Sequence, residues 1–186
     1  MTGLLLALRS LLWVILLPGF FAGYLPWAFF GLREVRLDPA RPLHWLGVLT
    51  IGFGVVLLIA CVVEFARRGR GTLSPVDPPR RLVVEGLYRH VRNPMYLSVS
   101  VIVLGEVILT RSKGLLTYWI VWFAWVNLFV MGYEEPTLRR QFGRDYEHYA
   151  AAVRRWLPRW HPWQPDRSSL DPNQVEPVGP APPQNP

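Results

Sequence analysis

The sequence predicts an all-α integral membrane protein. About four transmembrane helices are expected, the last two forming a helical hairpin, with a cytoplasmic amphipathic helix after them. Three observations carry this. Hydrophobic residues make up 51% of the chain and are bunched into four runs, residues 11–32, 43–63, 94–110 and 115–133. The 20 basic residues, 19 of them Arg, flank those runs rather than interrupt them. Nine Trp in 186 residues is a high count, and several stand near run ends, where an indole ring suits the membrane interface.

The first run, 11–32, has 22 uncharged residues, enough to cross roughly 30 Å of hydrocarbon. A signal peptide would have a shorter core and a small-residue cleavage site, so the run reads as a retained helix, kinked at Pro18 and Pro26. After a short polar loop, residues 43–63 give 21 positions without a charge, with His44 and Trp45 at the mouth. Residues 69–85 hold Pro75, Pro78 and Pro79, which exclude a helix; Leu82, Val83 and Val84 read as a short extended piece. The third run starts at a favoured pair, Asn93 as N-cap and Pro94 at the first helical position. It contains Glu106, expected as an interfacial helix end. A tight connection at 111–114 leads into the aromatic fourth run. Beyond it, Leu138, Phe142, Tyr146 or Tyr149, Val153 and Trp156 recur at close to helical spacing. They predict an amphipathic helix on the membrane surface, bent at Gly143 and anchored by Trp156, Trp160 and Trp163. From Pro162 the chain holds eight Pro and reads as a disordered tail. The expected organisation is two N-terminal spans (1–63), a core (64–161) and a tail (162–186).

Charge sets the orientation. With the N-terminus inside, cytoplasmic segments hold 15 of the 20 basic residues, and the other side holds Arg33, Arg36, Arg41, Arg111 and Lys113. The protein is therefore expected in the cytoplasmic membrane if bacterial, multi-pass, with both termini inside. Membrane topology accounts for the Arg excess, so no nucleic-acid partner is expected. The single Cys61 and the absence of a Cys/His cluster predict no disulfide and no metal.

This orientation brings two polar spots to one face. The first is residues 86–96, where Tyr88, Arg89, His90, Arg92, Asn93 and Tyr96 crowd a membrane boundary. As a bland alternative it is a basic loop that holds anionic lipid. Its helix N-terminus, however, offers free N–H groups and a positive dipole end, which suit a carboxylate or phosphate. The two tyrosines suit a heterocycle and a ribose. The second spot is Glu134-Glu135, two carboxylates able to bind a ribose or a cationic group. His90 and His148 are second-rank bases. A small charged cofactor fits this set.

The pattern Gly86-Leu87-Tyr88-x-x-x-Arg92-Asn93-Pro94-x-Tyr96, a helical hairpin, then Glu134-Glu135-x-x-Leu138-x-x-x-Phe142-Gly143-x-x-Tyr146-x-x-Tyr149 resembles the isoprenylcysteine carboxyl methyltransferase family, which belongs with the membrane phospholipid methyltransferases. The resemblance covers roughly residues 72–160. It implies an S-adenosylmethionine-dependent methyltransferase acting on a lipophilic small-molecule or lipid acceptor, a carboxylate or an amine, at the cytoplasmic face. It implies cofactor contacts at Arg81, Leu82, Val83, Tyr88, Arg92, Asn93, Pro94, Met95, Tyr96 and Glu134, with Glu134 and Glu135 catalytic. Two departures stand out. Asn93 replaces the histidine common in the family, which excludes acid/base work there. No Arg shortly precedes the carboxylate pair, so the resemblance does not extend to a prenylcysteine substrate. Two rival classes remain: an NADPH-dependent membrane reductase of related architecture, and a non-catalytic adaptor docking lipids or a partner.

Overall fold

The computed structural model describes residues 16–68, 82 and 84–164. Arg81, Val83, most of the proline-rich linker, the start of the first run and residues 165–186 lie outside them. Among the described residues all regular elements are helical. They are α1 (Leu16–Phe29), α2 (Pro42–Arg68), α3 (Pro94–Thr110), α4 (Lys113–Phe129) and α5 (Glu135–Ala152). Short 3-10 turns stand at Leu32–Glu34 and Gly86–Arg89. Two stretches are long and apolar enough to cross a membrane: Pro42–Glu64, and the continuous helix Lys113–Ala152 made of α4 and α5. Helices α1 and α3 are apolar but shorter.

Proline shapes two of these helices in the same way. A π turn, Phe20–Tyr24, lies in α1, and the Leu25 N–H reaches back to the Phe20 carbonyl. In that register the next donor would be residue 26, but Pro26 has no N–H. The Phe21 carbonyl is thereby released, and the Tyr118 hydroxyl donates to it at 2.8 Å. A second π turn, Val130–Glu134, joins α4 to α5 and is again followed two positions later by a proline, Pro136. The expected kink at Pro26 is thus a change of helical register.

The most extensive helix contact is α2 against α3. It is close because Gly47 and Gly105 face each other: a Cβ on Gly105 would stand 2.9 Å from the Gly47 carbonyl oxygen. The α3–α4 hairpin turns on Arg111 in the left-handed region, and Ser112 caps α4 by accepting from Leu115 N–H. The core is Val99, Ile102 and Val103 of α3 with Leu115, Trp122 and Val126 of α4, and Ala22 of α1.

Three expectations are refined. Glu106 stands one turn before the end of α3, but it is buried, and its Oε2 has no hydrogen-bond partner among the described residues. Helix α5 does bend at Gly143 (φ 51°). Its apolar stripe, however, is used inside the molecule, where Tyr146, Tyr149 and Val153 pack with Leu82, Val84, Leu138, Phe142 and Trp163. Of the three expected tryptophan anchors, Trp156 and Trp163 are engaged in packing, and only Trp160 is fully out at 96% exposure.

Candidate active site

The site starts at Gly86. Its φ of 55° favours glycine, and a Cβ there would stand 2.9 Å from the carboxyl carbon of Glu64, near the end of α2. The Gly86–Arg89 turn carries Tyr88 inward. The Tyr149 hydroxyl donates to the Tyr88 carbonyl at 2.7 Å. Burial pushes the Tyr88 phenol well above its usual range, with Cys61, Glu134, Tyr149 and Tyr96 close enough to add to the shift. It therefore stays a neutral hydroxyl.

The strip after the turn is held by the chain beyond α5. Arg92 N–H donates to the Arg154 carbonyl (3.0 Å), Arg159 N–H to the His90 carbonyl (2.9 Å) and Trp163 N–H to the Arg89 carbonyl (3.0 Å). The Arg89 side chain returns a bond to the Trp163 carbonyl, and His90 Nδ1–H donates to the Arg159 carbonyl at 2.8 Å. His90 thus has an orienting partner invisible in sequence. His148 is exposed.

Asn93 occupies the N-cap position of α3, but its side chain makes no cap bond. Its Nδ2 donates instead to the Arg155 carbonyl at 3.4 Å. With Pro94 next, the first-turn N–H groups of Met95 and Tyr96 receive no side-chain cap.

The two polar spots meet. The Tyr96 hydroxyl donates to Glu134 Oε2 at 3.1 Å. Arg92 reaches Glu135 Oε1 at 3.3 Å. Arg155 grips the same carboxylate with two bonds, 2.6 Å to Oε1 and 2.9 Å to Oε2. Adjacent carboxylates therefore have different surroundings. Glu135 is 9% exposed and saturated by two guanidiniums, whereas among the described residues Glu134 accepts its hydrogen bond from the Tyr96 phenol. Arg92 also donates to the Tyr146 hydroxyl at 3.4 Å.

Of the residues predicted from sequence, Tyr88, Arg92, Asn93, Pro94, Met95, Tyr96, Glu134 and Glu135 gather in this region. Leu82 packs one layer away, on the Tyr146–Tyr149 cluster. Sequence reasoning missed Arg155, Glu64 and Cys61. Arg155 carried a usable signal: a buried carboxylate pair needs more than one cation, and Arg154-Arg155 follows an apolar stripe at the same boundary.

The phospholipid methyltransferase family model matches residues 42–145, a stretch that includes the whole strip from Tyr88 to Tyr96 and both carboxylates. Two rice proteins, from Oryza sativa subsp. indica and subsp. japonica, are each described as a probable protein-S-isoprenylcysteine O-methyltransferase. Each is 28% identical over 133 residues, covering 68% of this chain and 69% of the relative. No solved structure matches.

Proposed function

Because the chain belongs to the phospholipid methyltransferase family, we propose that it is a membrane methyltransferase that uses S-adenosylmethionine to methylate a lipophilic carboxylate or amine at the cytoplasmic face. The observation that carries this is the Tyr96–Glu134 pair beside the uncapped first turn of α3, inside the family match. In this reading α1, α2, α3 and α4 are four spans. The basic-residue bias supports both termini and the site on the cytoplasmic side.

The donor set fits S-adenosylmethionine. The uncapped N–H groups of Met95 and Tyr96 offer a seat for its carboxylate. Glu134 is a carboxylate with lone pairs left for an ammonium or ribose hydroxyls, and Tyr88 and Tyr96 present aromatic faces and neutral hydroxyls. Leu82, which packs on the Tyr146–Tyr149 cluster, and Arg81 and Val83 are assigned to the cofactor from the family pattern alone. When bound, the cofactor supplies an already activated methyl group on a sulfonium. The chain's task is to hold donor and acceptor in line and keep water out, which supplies much of the rate. A carboxylate acceptor needs no base. An amine must lose a proton, and Glu134 is the group placed to take it; the Tyr96 hydroxyl orients its Oε2. Both Glu135 oxygens are committed to Arg155 and Arg92, so Glu135 is assigned to positioning.

The test is calorimetric titration of the detergent-solubilised protein with S-adenosylmethionine and, separately, NADPH. Saturable binding of the first only, weakened at least about 10-fold in Tyr96→Ala and Glu134→Ala, a loss of about 1.4 kcal/mol, is expected. Binding of NADPH alone would establish the reductase reading, and no binding of either the adaptor reading.

A further inference from the structure

Asn127 is an amide in the last turn of the apolar helix α4, where a polar group without a partner is costly. Its Oδ1 accepts from Trp156 Nε1–H at 2.9 Å. The Trp156 ring also lies 5.0 Å from Phe123, ring centre to centre, against the helical core. The two residues before Trp156 hold the candidate site. Arg155 grips Glu135 with two bonds, and the Arg154 carbonyl receives the Arg92 N–H. Val153 leaves α5 with extended dihedrals (φ −113°, ψ 127°), and the chain then bends at residues 155–157. Adjacent residues on so short a bent stretch do not move independently, so the Trp156 bond to Asn127 limits where Arg155 can stand against Glu135.

We propose that Asn127 and Trp156 are a positioning pair for the methyl-transfer site. Their hydrogen bond sets the register of residues 154–156, and through Arg155 and Arg154 it holds Glu135 and Arg92, with Glu134 beside them, in the binding geometry. Neither residue touches the reacting atoms. The proposal rests on the methyltransferase reading above, but it makes a claim about chain register that can be measured without cofactor.

The experiment uses the full-length protein in detergent as wild type, as Trp156→Phe and as Trp156→Phe/Asn127→Leu. The first variant keeps an aromatic ring but orphans the amide; the second removes the orphan. Three readouts are taken: melting temperature, S-adenosylmethionine affinity by calorimetry, and hydrogen exchange at the Arg92 amide. Trp156→Phe lowers melting temperature and affinity together. The double variant regains close to wild-type melting temperature, yet its affinity stays about 3–10-fold weak and its Arg92 amide exchanges faster than wild type. If affinity recovers with melting temperature, or never falls, the pair is only structural and the proposal is overturned. If wild type binds no S-adenosylmethionine, the methyltransferase reading fails by itself; unchanged exchange at Arg92 in the double variant would then overturn the register claim, and faster exchange would uphold it.

Discussion

At the scale of single residues, the main result is that Glu134 and Glu135, neighbours in sequence, are chemically different. Glu135 sits between two guanidiniums, with side-chain exposures of 9% for Glu135, 12% for Arg92 and 27% for Arg155. Removing one member of such a cluster strands the others, at a cost of about 3–5 kcal/mol. Glu135→Gln should therefore lower the melting temperature sharply. Glu134→Gln should leave it nearly unchanged while weakening S-adenosylmethionine binding about 10-fold or more, equivalent to about 1.4 kcal/mol. Thermal denaturation and calorimetry on the two variants separate these effects; equal destabilisation by both would refute the division of roles. Gly86→Ala makes a second case. The left-handed backbone costs an L-residue about 1–2 kcal/mol, and the new methyl would press on the Glu64 carboxyl. The variant should lose stability by at least that amount, measured by chemical denaturation, and cofactor affinity should fall with it because the turn carries Tyr88.

At the scale of elements, proline placement explains what helical periodicity does not. Pro26 and Pro136 each stand two positions after a π turn, and the first of these frees a carbonyl that Tyr118 satisfies. Tyr118→Phe should cost about 1–3 kcal/mol, the penalty for an unsatisfied buried acceptor; no loss would mean that another donor takes over. Glu106→Leu should do the opposite and raise the melting temperature, since an apolar side chain replaces a buried carboxyl whose Oε2 has no hydrogen-bond partner among the described residues. The bounds of α3 were legible because Asn93-Pro94 marks a start and Arg111-Ser112 a break, and both signals are local. The π turns were not, because they depend on where a proline falls relative to the preceding hydrogen bonds rather than on residue pattern. The outward-facing role expected for the stripe of α5 failed for a similar reason. Periodicity says that Tyr146 and Tyr149 face something apolar, but not whether it is lipid or, as found, Leu82, Val84 and Trp163.

At the scale of the whole molecule, the arrangement is a helical hairpin closed at one end by its own flanking segments. The strip before α3 and the chain after α5 bond to one another through Arg89, His90 and Arg92, and the carboxylates at the α4–α5 junction lie against them. The meeting of the two polar spots was legible in sequence, because charge bias alone put both on one side. The fastenings were not: Arg155 to Glu135 spans 20 residues and Trp156 to Asn127 spans 29, and neither pair shares a local pattern. Mapping accessibility with single cysteines placed in a Cys61→Ser background should find residues 36 and 111 labelled from one side of the membrane and residues 89 and 144 from the other. Labelling of all four from one side would break the four-span reading. Methyl transfer itself is measured in one assay. The purified protein is incubated in lipid nanodiscs with methyl-labelled S-adenosylmethionine and a membrane lipid extract, and label is then counted in the organic phase. Label is expected in a lipid-soluble product with wild type, with a near-complete loss in Glu134→Ala; no transfer by wild type, or equal transfer by the variant, would overturn the methyltransferase reading.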